Sequence, residues 1–261
     1  MRYYNTKLGK HSFLKTSTAL RGHIPHAQLA TYGSIKHMLD KYRSVYIKPN
    51  NGTGGYGIMK AVKLSNGAYQ LKRGMGTSLY ASYSSLYASM SNSLSRRMHL
   101  VQQTVHLQHY RSRPFDLRVM VQRNQMNQWE VTGIIGRLAQ AHKIVTNYHN
   151  GGTPLTARQL LAPKFDQAGL TRFIKRIEKL GLETSRYISK AFPSYRSFGI
   201  DIAVDHQMRL WILEVNTRPD KYIFRAISNK SMFHKIMRYS KFTWRRDKLP
   251  ARIVRNRRVH R

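Results

Sequence analysis

Two stretches of this 261-residue sequence combine residue types able to do chemistry with spacings that bring them together. The first is Tyr46-Ile47-Lys48-Pro49-Asn50-Asn51-Gly52-Thr53-Gly54-Gly55-Tyr56-Gly57-Ile58. Glycines admit positive φ and let backbone N–H groups approach a phosphate closely, and Lys48 sets an ammonium beside them. The lysine precedes the loop and no helix is expected to follow it. Neither the G-x-x-x-x-G-K-[ST] phosphate loop nor a dinucleotide-binding turn therefore fits. Taken alone, the segment also reads as a flexible hairpin turn. The second stretch pairs Gly199-Ile200-Asp201-Ile202-Ala203 with Leu213-Glu214-Val215-Asn216-Thr217. A turn near His206-Gln207 lays the two runs side by side, and period-two alternation puts Asp201, Glu214 and Asn216 on one face. Two carboxylates and an amide oxygen are the hard ligands Mg²⁺ takes alongside water and phosphate oxygens. Edge carboxylates paired to arginine are the other reading.

Weaker candidates lie between them. Asp116 and Arg118 share a strand face, and Arg118 can meet either a phosphate or a neighbouring acid. Arg137 closes the apolar run Gly133 to Gly136, as a phosphate or substrate contact or as a strand-edge cation. Asn147 with Gly151-Gly152 suits a loop closing over a nucleotide, or a plain surface turn. The 12 histidines are scattered, and the pairs His23/His26 and His106/His109 have no carboxylate at ligand spacing, so they do not read as a metal site.

Composition limits the function classes. With 46 Lys and Arg against 11 Asp and Glu the net charge is +35, a field that draws in polyanions: nucleic acid, anionic polymer or acidic protein. Acids are so scarce that carboxylates inside apolar strands stand out, because burying one is costly unless it is paired or binds metal. There is no cysteine, which excludes disulfides, thiolate metal sites and a cysteine nucleophile. No run of eighteen apolar residues predicts a membrane span, and the basic, polar start at 1–15 lacks the apolar stretch of a signal peptide.

These residues need elements to position them. Apolar spacing predicts helices over 26–42, 170–192 and 221–239. Strands are expected at 44–49, 58–64, 68–72, 116–123, 129–139, 198–204 and 210–215. Residues 78–97 read as a loop leading into a helix, and 245–261, with eight Lys or Arg, as a basic tail that is a solvated arm or an anion-binding one. The order is that of an α+β chain with antiparallel sheets. We divide it into 1–44, 45–107, 108–240 and the tail 241–261.

The motifs, in this order, resemble those of the ATP-grasp superfamily and, within it, the YheC/YheD-type endospore coat-associated family. The carriers are the Lys48–Gly57 segment, Val101-Gln-Gln-Thr-Val105, Pro114-Phe-Asp-Leu-Arg118, Trp129–Gly133 with Arg137, Asn147–Gly152, Phe198–Ile202 and Leu213–Pro219. The resemblance implies two α+β lobes clasping Mg-ATP. Lys48, and Lys7 as a second phosphate lysine, would meet phosphate; Gly52, Thr53, Gly54, Gly55 and Gly57 would cover it, with Asn147 closing over the nucleotide. Gln102, Gln103 and Val105 would read adenine at the interlobe hinge. Arg118 and Arg137 would face the reacting phosphate, and Asp201, Glu214 and Asn216 would hold Mg²⁺. It also implies ligation of a carboxylate acceptor through an acyl phosphate, in a cytoplasmic, spore-associated protein. The alternative is a non-catalytic spore assembly protein whose basic surface binds acidic polymer, coat protein or, non-specifically, nucleic acid. The sequence departs from the family in carrying glutamine at the hinge, Asp220 after the Glu-x-Asn proline, and little chain ahead of the expected ATP-grasp core, where relatives often have an N-terminal lobe that helps build the acceptor site.

Overall fold

The computed structural model describes residues 3–52, 54–140 and 152–247, the last five by backbone alone. The chain forms two antiparallel sheets, each backed by helices. The first contains β1 (Ala27–Leu29), β2 (Ser44–Pro49), β3 (Met59–Lys63), β4 (Tyr69–Arg73), β5 (Gly76–Tyr80) and β6 (His99–Gln103), in the order β1-β6-β2-β3-β4-β5. Helices α2 (Tyr32–Tyr42) and α3 (Tyr83–Arg96) cover one face, burying Ile35, Met38, Leu39, Leu86 and Met90 against Val45, Ile47 and Leu71. Alternation along β2 then turns Tyr46 and Lys48 to the opposite face.

The second sheet runs β10-β9-β8-β11-β12, with the short β7 (His109–Tyr110) on β8. These strands are β8 (Arg113–Arg123), β9 (Trp129–Leu138), β10 (Thr153–Thr156), β11 (Ser197–Val204) and β12 (Leu210–Asn216). The 25-residue helix α5 (Gln167–Ala191), following the short α4 (Ala157–Leu161), lays Phe173, Ile177, Leu180 and Ile188 over one face. Gly181 allows this approach, since a Cβ there would stand 2.8 Å from Val119. On the other face, a 3₁₀ turn at Tyr222–Ala226 and α6 (Ser231–Asp247) bury Met120 and Ile135 under Phe224, Ile227 and Ile236. That cover is partial. The uncovered part carries the charged residues and faces the first sheet. The first helix, α1 (Lys7–Lys15), packs on α5 and on β12 at the junction of the lobes.

The expected α+β architecture and all seven expected strands are present. Four local expectations change. The helix expected from His26 begins only at Tyr32, because Thr31 and Ser34 form a reciprocal capping box and Ala27–Leu29 pairs with β6. Residues 76–80 form edge strand β5 where a loop was expected, completing a hairpin with β4. The helix expected over 221–239 is split into the 3₁₀ turn and α6. The N-terminal segment, read only as polar and basic, is helical from Lys7, with the Thr6 side chain accepting from Gly9 N at 3.0 Å. Thr53, Asn147 and the tail beyond 247 lie outside the described residues. No described helix is long and apolar enough to cross a membrane.

Candidate functional site

The two sheets face each other across a cleft, and most of the singled-out residues line it. On the first sheet, β2 and β3 end at the glycine loop, where Gly52, Gly54, Gly55 and Gly57 take φ of 144°, 70°, 79° and 72°. A side chain is strained at such φ values, so the loop backbone follows a path that only glycine takes at low cost. Gly57 also sits tight on Pro49, which a Cβ would meet at 3.2 Å.

Two lysines converge beneath this loop. Lys48 donates to Gln102 Oε1 across the β2–β6 pair. Its ammonium also lies 5.5 Å from the Tyr46 ring centroid. Burial drives the Lys48 pKa down to about 8, against the pull of Glu214. Lys7 pairs with Glu214 from the other lobe. The residue that positions it is Asn50, absent from the sequence candidates. Its carbonyl accepts from Lys7 N at 3.0 Å and its Oδ1 from Leu8 N at 2.9 Å, so the start of the glycine loop caps α1. Lys10 and His11, one turn on, enter the same cavity between α1, β2, β6 and β12. Burial lowers the Lys10 pKa to about 8 and the His11 pKa to about 4. None of these three could be found without the α1 helix; the signal available was Thr6 as an N-cap before Lys7.

On the second sheet, the β11–β12 register sets Asp201 opposite Glu214 and Gly199 opposite Asn216, so Asp201, Glu214 and Asn216 do share one face. Asp201 is not free, however. Arg118 grips it with two guanidinium nitrogens, one bond being Nη2 to Oδ2 at 3.2 Å. Arg137 donates to both Asp116 oxygens at 2.7 Å and reaches Asp201 Oδ2 at 3.1 Å. Asp116, Arg137, Asp201 and Arg118 thus form one alternating, electrically balanced row, each only 3–8% exposed. Burial opposes the charge on both Arg137 and Asp201. For Arg137 the two carboxylates outweigh that cost and hold the guanidinium protonated; for Asp201 the arginines outweigh it and bring the carboxyl to about 2. Asn216 Nδ2 lies 3.4 Å from Asp201 Oδ2.

The segment joining the lobes starts at the hinge candidates. The Gln102 side chain turns to Lys48. Gln103 N donates to His26 O at 2.8 Å, and its Oε1 accepts from His26 N at 3.1 Å. Val105 is buried, and the chain crosses to the second sheet through Gln108 N to Val204 O at 2.8 Å. The structure therefore brings Lys7, Lys48, Gln102 and Glu214 to one cavity, and sets Asp201, with Arg118, Arg137 and Asn216, beside Glu214 through the β11–β12 pairing.

A family model described as YheC/D-like ATP-grasp matches residues 2–242. The chain belongs to that family. Two relatives from Bacillus subtilis (strain 168) are endospore coat-associated protein YheD, 27% identical over 84% of this chain and 49% of its own length, and endospore coat-associated protein YheC, 22% identical over 82% and 60%. The chain thus spans between half and three-fifths of these relatives. Among solved structures, N5-carboxyaminoimidazole synthetase from Staphylococcus aureus, complexed with ADP, superimposes with a TM-score of 0.53 at 10% identity, over 89% of this chain and 50% of that one. ATP-grasp ligase PsnB, complexed with precursor peptide PsnA2 and AMPPNP, gives 0.51 at 12% identity, over 92% and 59%. At these identities the likeness shows the ATP-grasp fold.

Proposed function

We propose that this protein binds Mg-ATP between its lobes and uses it to activate a carboxylate, which an amine or related nucleophile then captures. The observation that carries the reading is that Lys7 and Lys48 meet Glu214 in one cavity, with the positive-φ glycine loop following Lys48 in the chain and Asp201 and Asn216 placed beside Glu214 by the β11–β12 pair. Lysines and loop N–H groups suit phosphate oxygens. Glu214, Asn216 and Asp201 carry hard oxygen donors of the kind that suits Mg²⁺ and would hold the ion in exchange for the cations that now pair the two carboxylates, Lys7 on Glu214 and Arg118 with Arg137 on Asp201. When bound, the ion would supply charge neutralisation to the phosphates.

In the reaction, a substrate carboxylate oxygen attacks the γ-phosphorus. The bond from that phosphorus to the β,γ-bridging oxygen breaks and ADP leaves. The nucleophile next adds to the acyl carbon, expels phosphate and loses its proton. The protein's own part is to position the phosphates and stabilise developing charge. Lys48 and Lys7 hold phosphate oxygens, and Arg118 and Arg137 sit beside the metal-type carboxylate where charge accumulates. We extend the relatives' association with the endospore coat to this chain as the place where its substrate is found.

The test is ATP turnover with a panel of carboxylate acceptors and hydroxylamine as trapping nucleophile. Acceptor-dependent ADP release with formation of the hydroxamate supports the reading. Mg-ATP binding without hydroxamate from any acceptor leaves a nucleotide-binding protein and removes the ligase.

A further inference from the structure

In a chain where 22% of residues are charged, the whole run from Gly74 to Ser95 carries no charged residue and no histidine. It builds β5 and most of α3, at the outer end of the first sheet. β5 is bonded on one side only, to β4, and no strand pairs with its outer edge among the described residues. Gly76 to Leu79 are all exposed. Leu79 is 67% exposed, and Met75, in the turn before the strand, 66%. The exposed Tyr32 ring stands at this end too, 4.9 Å from both Tyr83 and Tyr87 of α3.

An open strand edge is a template for another strand, and proteins commonly blunt it with lysine or proline. β5 has neither, although its neighbours are rich in cations: Lys72 and Arg73 on β4, Lys60 and Lys63 on β3. The terminal strand β10 of the second sheet, by contrast, carries Pro154.

Charge and shape select what pairs there. An acidic partner gains nothing from an uncharged strand and is drawn to the basic faces instead. A second copy of this chain, repelled by the charge of +35, approaches most easily where no cation is presented. The strand also fits itself. Antiparallel pairing about a two-fold axis at Ser78 sets Ser78 opposite Ser78, Thr77 opposite Leu79 and Gly76 opposite Tyr80. No such pair contains a charge. Tyr80 of one copy meets Gly76 of the other, where a Cβ would find nothing closer than 3.6 Å. We propose that β5 is a self-association edge, through which two copies join their six-stranded sheets into one. The cavity at Lys48 lies on β2 and β6, further in along the sheet, so the inference does not rest on the ligase reading.

The test is sedimentation equilibrium of the full chain over a range of protein concentrations, in low and in high salt. We expect a monomer–dimer equilibrium in which the dimer gains as salt rises, because screening removes the repulsion between two basic chains and leaves a neutral contact intact. Ser78→Lys and Ser78→Glu each set like charges directly opposite one another and should each weaken the dimer severalfold. Mixing the two variants sets Lys against Glu and should restore it, which also shows that both are folded. Met126→Lys, on the exposed turn of the second sheet, should leave association unchanged. A wild type that stays monomeric at every concentration and salt would overturn the assignment and leave the edge to a different chain. So would dimers that persist in both Ser78 variants, that fail to return in the mixture when each variant melts as the wild type does, or that are lost equally in Met126→Lys.

Discussion

The two walls of the cleft handle buried charge in opposite ways. The second sheet balances its charges: two aspartates and two arginines alternate, and each has an opposite partner within the row. The first sheet leaves its charge exposed to a guest: Lys48 is buried against the neutral Gln102, and its pKa falls to about 8. A balanced row contributes to the folded state as long as it stays complete. An uncompensated lysine costs stability and returns it when an anion arrives. The same residue classes are therefore matched to one another on one wall, while on the other Lys48 has only a neutral hydrogen-bond partner.

Breaking the balanced wall should give the largest effect. Arg137→Met removes two bonds from Asp116 and one from Asp201, leaving buried charge less well compensated. The expected loss is about 3–5 kcal/mol. In a chain of this size that lowers Tm by roughly 10 °C in calorimetric melting. A change below 2 °C would mean that the row is not a structural unit.

Breaking the other wall should spare the fold. Lys48→Met removes a charge-assisted contact to phosphate worth about 1.5–3 kcal/mol, a loss of ten- to more than a hundredfold in nucleotide affinity. Tm at pH 7 should hold or rise. A fall in Tm comparable to that of Arg137→Met would erase the contrast.

Crowding the balanced row, without removing a charge, gives a smaller effect. Gly199 packs under Pro219, 2.6 Å from where a Cβ would lie, with the Arg118 side chain at 3.2 Å. Gly199→Ala should displace Arg118 from Asp201 and cost about 1–3 kcal/mol, read in urea melts. No change in midpoint would show that the row tolerates movement.

The smallest effect is in protons. Lys48 is mostly ionised at pH 7 and mostly neutral above pH 8, because its folded pKa lies below that of a free lysine. An arriving phosphate favours the ionised form. Nucleotide affinity should therefore fall as pH rises through 8, with net uptake of part of a proton per nucleotide near pH 8.5. Titrations in buffers of different ionisation enthalpy measure it, and Lys48→Met should reduce it. Uptake that is absent, or unchanged in the variant, would assign the lysine an ordinary environment.

The strands and chemical motifs were legible because both follow local rules. The alternation around Asp201 and Glu214 fixes their common face, and glycines at 52, 54, 55 and 57 mark a loop with positive φ. The arginine partners of Asp201 were only half legible. Pairing with arginine was an open reading, but Arg118 and Arg137 come from strands more than sixty residues away, and only the sheet register selects them. Asn50 and Lys10 were illegible for a similar reason. Their roles depend on α1 docking at the glycine loop, a contact with no sequence periodicity. The resemblance to the family supplied what local rules did not, the pairing of Lys7 and Lys48 in one site.

The most direct test is calorimetric titration of ATP into the wild-type chain and into Glu214→Gln, each with and without Mg²⁺. The account predicts one site in the wild type, tightened at least tenfold by Mg²⁺, and loss of that tightening in Glu214→Gln while metal-free binding persists. No ATP binding by the wild type, or the same Mg²⁺ dependence in both, would contradict a nucleotide site built between these two walls.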